Sequence, residues 1–566
     1  MTQLRPTPAL LIMIIIDLIL QLLSLYFSSG SNPTLLALAG DSLEYWNMSG
    51  AIAQGNLFQE EPFLSAPLYP YFLGALRSMG FGLIGIIAIQ IILRSATAWL
   101  IARISKRIFN NSWLAFCSAA LFITLIEPAY FSMRIVNSSL QLFILSFLIY
   151  NYLEYRKKIR AGSSLRYGSS FGFAVLTHPP LLAGIPFFIA SLKWRKNTSF
   201  AVIAMTSALG LCSFATLHNY VATSKYPSGP EFIPISAQAG VTFAHGNAPN
   251  TNGTYLPLPG VSANRLHQNQ DAYQIAKEKT GKEGWAHTSN YFFKQGLTYL
   301  SENPKEFLRL IFLKARWALA GKNYGDLFFI SEEFADKEIP KPTPAHARFL
   351  QTGWFLPFTI IGLCLMYRRN ISGKLPLTII FLSAVLVVLF FWYSPRYRLP
   401  AIPVIAVIIP WVYHTLCNNK IRLLAAISLP IILIESSSAI GGFDRRNELM
   451  HGTYKLHTGL NYLEIKEYEK AIKYLNDALQ NGQKKSVTHI AIAQSYVDLG
   501  KKNGQIEKFE IANKNYEDAI YHYYQAIELN PKREDARQSL VNVLRFLNRN
   551  QEAKNVVNEG KRVKSQ

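Results

Sequence analysis

The sequence predicts an all-α polytopic membrane protein of about eleven transmembrane segments, with an extracytoplasmic loop domain in mid-chain and a C-terminal α-helical solenoid. Three observations carry that expectation. The 566 residues are 50% hydrophobic and only 16% charged, too apolar for a soluble surface and too long for one packed core. Nine apolar runs approach the roughly 20 residues that a helix needs to cross the hydrocarbon layer. From residue 453 onward the pattern turns amphipathic, with small residues at a repeated spacing.

In chain order the runs lie at 8–27, 82–104, 112–131, 132–152, 199–218, 351–367, 375–393, 399–416 and 422–440. The first follows Thr2, Gln3 and Arg5 without a small-residue cleavage site, so it reads as a retained anchor more than as a signal peptide. Residues 168–192 add two short legs, a broken hairpin turning at His178-Pro179-Pro180, because Arg166 and Lys193 belong to the same side. That side is identified by its charge. Apart from the loop at 219–350 and the stretch 441–566, the chain holds 22 basic and 8 acidic residues. Seventeen of the 22 gather on one face: Arg5, Arg103, Lys106, Arg107, Arg156, Lys157, Lys158, Arg160, Arg166, Lys193, Arg195, Lys196, Arg368, Arg369, Lys374, Lys420 and Arg422. The positive-inside rule makes that face cytoplasmic. The N-terminus is then cytoplasmic, and the loops at 28–67 and 219–350 and the C-terminal stretch lie outside, in the periplasm of a bacterial inner membrane. Of the formal charge of +22, the +14 left by those 22 basic and 8 acidic residues therefore sits beside lipid, so no nucleic-acid partner is expected.

The stretch 441–566 forms the second expected domain, after 1–440. Gly459, Tyr462, Ala471, Leu475 and Ala478 stand at the spacing of a tetratricopeptide helix pair. Ala493, Tyr496, Ala519, Tyr523, Ala526 and Pro531 form a second copy around an insertion rich in Lys, Asn and Glu. Val541, Leu544 and Ala553 mark a third. Stacked pairs of this kind present a concave surface to a peptide or protein partner, or else cap the membrane domain or dimerise it. The four cysteines, Cys117, Cys212, Cys364 and Cys417, form no CxxC or Cys/His cluster, so neither a metal site nor a cofactor is expected.

Five basic residues stand apart from the cytoplasmic set: Arg77, Arg94, Arg134, Arg396 and Arg398. Arg94 and Asp17, both midway along apolar runs, should find polar partners inside the bundle. Arg396 and Arg398 fall at the outer end of a helix, in Ser394-Pro395-Arg396-Tyr397-Arg398-Leu399-Pro400. Their forked guanidinium groups suit phosphate oxygens, and snorkelling to lipid headgroups is the alternative. The first outer loop has no Lys or Arg between 28 and 66, yet carries Asp41, Glu44, Glu60 and Glu61. A carboxylate there is a candidate general base, although Asp41-Ser42-Leu43-Glu44 also has the pattern of a helix cap.

Gly40-Asp41-Ser42 with Tyr45, Gly55, and Ala66-Pro67-Leu68-Tyr69-Pro70-Tyr71-Phe72-Leu73 resembles the first outer loop of the GT-C membrane glycosyltransferases, in the branch of the protein O-mannosyltransferases and the lipid A aminoarabinose transferase. Leu176-Thr177-His178-Pro179 is similar to that branch too, as are Gly240-Val241-Thr242-Phe243 with Gly246-Asn247 and Gly253-Thr254-Tyr255. So are Asn303-Pro304 leading to Lys314, and Arg396-Tyr397-Arg398-Leu399-Pro400. The likeness spans about residues 1–440. It implies a polyprenyl-phosphate sugar as donor, Asp41 as general base, and Arg396, Arg398, Tyr397, His178, Tyr45 and Tyr69 as contacts to donor phosphate and substrate. Leu64 and Ser65 depart from the acidic-basic pair frequent in relatives, and Asn137 replaces a second carboxylate. Glu127 is then a substitute, with Glu44, Glu61 and Arg134 as further candidates. The expected activity is inverting transfer of one sugar to a protein, lipid or glycan acceptor outside the membrane. The alternatives are a polymerase or ligase of lipid-diphosphate glycans and a non-catalytic scaffold that binds partners through its repeats.

Overall fold

The computed structural model describes residues 8–192, 194, 197–262, 265–319, 328–416 and 443–565. The span expected at 422–440 lies outside the described residues, as do Arg5, Lys193, Arg195, Lys196, Cys417, Lys420 and Arg422. Among the described residues every regular element is helical, with two isolated β-bridges, Leu125 to Leu350 and Thr254 to Tyr393. Two compact units form. The first takes residues up to 30, 39–331 and 341–439; the second takes 31–38, 332–340 and 440–566.

Among the described residues of the first unit four helices are long and apolar enough to cross a membrane: Pro8–Ser28, Leu83–Phe109, Thr198–Thr223 and Pro395–Leu416. The other expected runs within the described residues give shorter helices. The run 112–131 does not continue as one helix: Ser112–Thr124 stops, Leu125 turns extended, and Ile126–Ser132 follows. Pro128 explains the break, since its ring would clash with the carbonyl four residues back, that of Thr124. The next helix starts at Ser138 rather than 132 and ends at Lys157. The hairpin turns where expected, with Ala161–Thr177 ending at His178 and a 3₁₀ turn, Pro179–Gly184, leading into Ile185–Ser191.

Asp17 and Arg94 pair as expected. Arg94 Nη1 lies 2.5 Å from Asp17 Oδ2, with both side chains at most 2% exposed. Arg94 Nη2 donates to the carbonyl of Ile123 at 2.7 Å, just before the helix break, and His346 Nε2 lies 2.8 Å from Asp17 Oδ1. Cys117, Cys212 and Cys364 are free thiols.

The second unit holds three helix pairs. Phe443–Glu464 packs on Tyr468–Gln480 through the small residues that the sequence singled out: a Cβ on Gly459 would meet Leu475 Cγ at 2.6 Å, and Ala471, Leu475 and Ala478 are fully buried. Ser486–Gln505 pairs with Phe509–Leu529, and Glu534–Phe546 with Asn550–Ser565. The Lys/Asn/Glu-rich insertion makes no loop. It lengthens both helices of the second pair to 20 and 21 residues.

The unit is larger than the expected stretch 441–566, because two short segments of earlier chain complete it. Asp336 accepts hydrogen bonds from the hydroxyls of Tyr454 and Tyr474, each at 2.9 Å, with Lys455 Nζ at 3.3 Å. Burial works against the ionised form of Asp336, but the Glu338 amide, both tyrosines and Lys455 outweigh it and hold the carboxyl below its usual range. Glu338 meets Lys473 at 2.6 Å. Asn32 caps the short helix Pro33–Leu36 and donates to the carbonyl of Pro340 at 2.8 Å, while Thr34 donates to Glu333 at 3.1 Å.

Candidate functional site

Gly40 adopts a φ of 55°, a left-handed value that side chains resist, and so starts the helix Asp41–Ala53 abruptly. Asp41 is the first residue of that helix and not its cap. Its carboxylate forms an ion pair with Arg396, 355 residues away in sequence. The positive helix N-terminus favours both Asp41 and Glu44 in the first turn. Arg396 is delivered by the 3₁₀ turn Pro395–Ala401, with Pro395 at its first position, and its guanidinium also lies 4.9 Å from the ring of Phe328.

The two side chains stand in the wall of a cavity of about 310 Å³, shared with Tyr45, Asn137 and Tyr397 from the expected set. Ser65, Thr242 and Tyr255, which occur in the quoted motifs and their departures, line it as well. Sequence reasoning missed Gln141, Gln238, Gln268 and Trp392, which complete the polar wall with Ser138. Two of these had a readable signal: Gln141 lies one helical turn after Asn137, and Trp392 almost adjoins the Pro-Arg-Tyr-Arg motif. Gln238 and Gln268 had none.

Segments between residues 239 and 255 are tied to this wall by backbone contact and by side chains that bond to backbone. Gly246 ends the helix Ala239–Gly246, and a Cβ there would meet the carbonyl oxygen of Phe391 at 1.9 Å, so its role is close approach of two backbones. The amide of Tyr393 donates to the Gly253 carbonyl at 2.8 Å, which sets Trp392 beside Tyr255 with ring centroids 5.4 Å apart. Asn247 donates to the Phe390 carbonyl at 2.7 Å and accepts from Lys314 Nζ at 2.7 Å. Lys314 is 1% exposed, and burial lowers its amine to about 7. It braces the wall without lining the cavity. His245 bonds the carbonyl of Leu256 through Nδ1 at 2.9 Å and meets Gln268 Nε2 through Nε2 at 3.0 Å, so these partners make Nδ1 the protonated nitrogen.

The remaining candidates lie behind or away from the wall. Tyr69 is fully buried, donates to Gln90 Oε1 at 2.8 Å and supports Tyr45 edge-on at 4.9 Å. His178 is held between Gln141 Nε2 and Ser383 Oγ, each at 3.2 Å, as a satisfied structural histidine at the hairpin turn. Arg398 does not join Arg396: it is 2% exposed, donates to the Ala318 carbonyl at 3.1 Å and lies 3.7 Å from Glu127. Carried on the same turn as Arg396 and Tyr397, it reaches Ala318 and Glu127 instead of the cavity. Glu127 is fully buried and accepts from the Thr352 amide at 3.0 Å, so it is no substitute base in this arrangement. Glu44 accepts from Ser65 at 3.3 Å, and Glu61 from Gln270 at 2.6 Å. Arg134 is 4% exposed and lies over the Tyr130 ring at 4.4 Å. Arg77 donates to the Trp46 carbonyl and to Ser49 in the helix Asp41–Ala53. No cluster of three metal-ligating side chains occurs among the described residues.

A family model described as tetratricopeptide repeat matches residues 510–565, covering the second helix of the second pair and the whole third pair. No curated protein matches the chain.

Proposed function

We propose that the protein is an inverting glycosyltransferase of the GT-C kind, moving one sugar from a polyprenyl-phosphate carrier to an acceptor on the periplasmic side of a bacterial inner membrane. The observation that carries this reading is the meeting of Asp41 and Arg396 in one polar cavity. A carboxylate and a guanidinium are the two groups such a transfer needs, one for the proton and one for the departing phosphate. At about 310 Å³ the cavity falls at the small end of ligand pockets, which run from about 300 to 1,000 Å³. That size suits one sugar and its phosphate better than the glycan chain of a polymerase or ligase.

In the proposed reaction the incoming phosphate competes with Asp41 for Arg396, and the carboxylate is released to the acceptor. Asp41 takes the acceptor's proton as its oxygen bonds to the anomeric carbon. The bond from that carbon to the phosphate oxygen breaks, and the electron pair leaves with the polyprenyl phosphate, whose charge Arg396 meets. Tyr45 and Tyr397 flank the sugar, while Tyr69 and His178 hold the wall in shape. No metal is assigned a role.

Replacing Arg396 by Gln is expected to raise the donor concentration for half-maximal rate by roughly 1.5–3 kcal/mol of lost charge-assisted hydrogen bonding, with only partial rescue by Lys, which lacks the fork. Titrating a synthetic donor against both variants tests this, and unchanged donor dependence in both would remove Arg396 from the site. Arg398→Gln should act differently, lowering thermal stability with donor dependence unaltered.

The same reading takes about eleven membrane segments with a cytoplasmic N-terminus. Reporter fusions after Asn47 and within 260–290 should read outside, as should one after Gly441, and those after Lys158 and Arg369 inside. A cytoplasmic signal after Gly441 would defeat the proposed placement of the repeats.

A further inference from the structure

We infer that the sugar this cavity accepts is uncharged, and that Asn137 is a specificity-determining residue for that choice. This rests on the transferase reading of the cavity and adds the class of its substrate. The charges in the wall are those of Asp41 and Arg396, which cancel and which the reaction itself employs. The rest of the polar wall is carboxamide, hydroxyl and indole. An ammonium on the sugar would require a further carboxylate, and a uronic acid a further cation, because an uncompensated charge is costly in a confined site.

Asn137 stands in the wall as a carboxamide, and its Nδ2 donates to the Thr177 carbonyl at 2.6 Å, which fixes the side chain in place. Gln141, Gln238 and Gln268 add three further carboxamides to the same wall, and Trp392 an indole. A sugar hydroxyl both donates and accepts, so neighbouring hydroxyls on one ring satisfy an acceptor and a donor alike. The indole and phenol faces of Trp392, Tyr255 and Tyr397 supply the apolar surface that a pyranose ring covers. The cavity is thus complementary to a neutral polyol on every side except the reacting end.

The test uses the full-length protein in micelles and four probes: bare polyprenyl phosphate and the same lipid carrying glucose, an amino sugar or a hexuronate, with binding measured by native mass spectrometry. The wild type is expected to bind the glucose carrier at least tenfold more tightly than either charged one, and more tightly than the bare lipid phosphate. Asn137→Asp should shift the preference toward the amino sugar by tenfold or more, and Gln141→Glu, one turn further along the same helix, should shift it the same way should the first variant fail to fold. Equal or tighter binding of a charged sugar by the wild type overturns the inference while leaving the transferase reading intact. Equal binding of all four probes overturns that reading, and the inference with it.

Discussion

Asp41→Asn is expected to leave the protein inserted and folded yet to slow sugar transfer by a factor of about 10² or more, as the loss of a general base does. Asparagine matches the shape of aspartate and keeps a hydrogen-bond acceptor toward Arg396, but it takes no proton at neutral pH. The cost to the fold should be small, about 0.3–1 kcal/mol for removing one charge from the first turn of a helix. Asp41 and Arg396 are an ion pair, so a fall in rate could also arise from a misplaced arginine. The double variant Asp41→Asn with Arg396→Gln separates the two origins. If Asp41 only held Arg396 in place, the double variant would be no slower than Arg396→Gln alone; if it is the base, the double variant is slower by the same large factor. Single-turnover rates on a synthetic donor decide the matter, and a near wild-type rate for Asp41→Asn would transfer the role to another group, with Glu44 the first to examine.

The largest effect on stability is expected at Arg94. Replacing it by Met strands the Asp17 carboxylate in an interior where both side chains are at most 2% exposed. Breaking a buried pair from one side costs about 3–5 kcal/mol, because the charge left behind has lost both water and partner. The carbonyl of Ile123 loses its donor as well. Exchanging both residues, Asp17→Leu with Arg94→Met, should recover most of the loss, since an apolar pair of similar bulk buries no charge. Thermal unfolding of the purified variants in micelles reads the difference. A single variant as stable as the wild type would show that His346, 2.8 Å from the carboxylate, suffices alone.

Asp41 and Arg396 were legible in the sequence because each breaks a rule of its surroundings: an acid in a loop free of basic residues, and an arginine at a helix end that the charge pattern assigns to the side where positive charge is disfavoured. Arg398 breaks the same rule and was read the same way, but its direction follows from contacts with Ala318 and Glu127 in distant chain, which no local pattern displays. Whether Glu127 reaches the cavity could not be read from its type, since that depends on the break at Leu125 and on pairing with Thr352 from distant chain. Gln238 and Gln268 were invisible because glutamine on a polar loop contradicts nothing. The long helices Pro8–Ser28, Leu83–Phe109 and Thr198–Thr223 begin within one residue of the expected runs, but the second and third continue five residues past the expected ends into polar sequence, because a helix does not stop where its apolar run does. Where prolines interrupt such runs the ends shifted.

The repeat unit is assembled from three separate stretches of chain, and a body with one interior occupies one aqueous compartment. In a membrane-embedded chain this imposes a parity condition. The crossings between Leu38 and Glu332 must be even in number, and so must those between Pro340 and Phe443. The proposed arrangement, with one crossing before Ser31, six in the first interval and four in the second, obeys it. An odd count in either interval would place Asn32 and Pro340, or Asp336 and its two tyrosines, on opposite faces of the bilayer. In the proposed arrangement the unit closes only after every crossing has been made, so its completion is the last step of assembly.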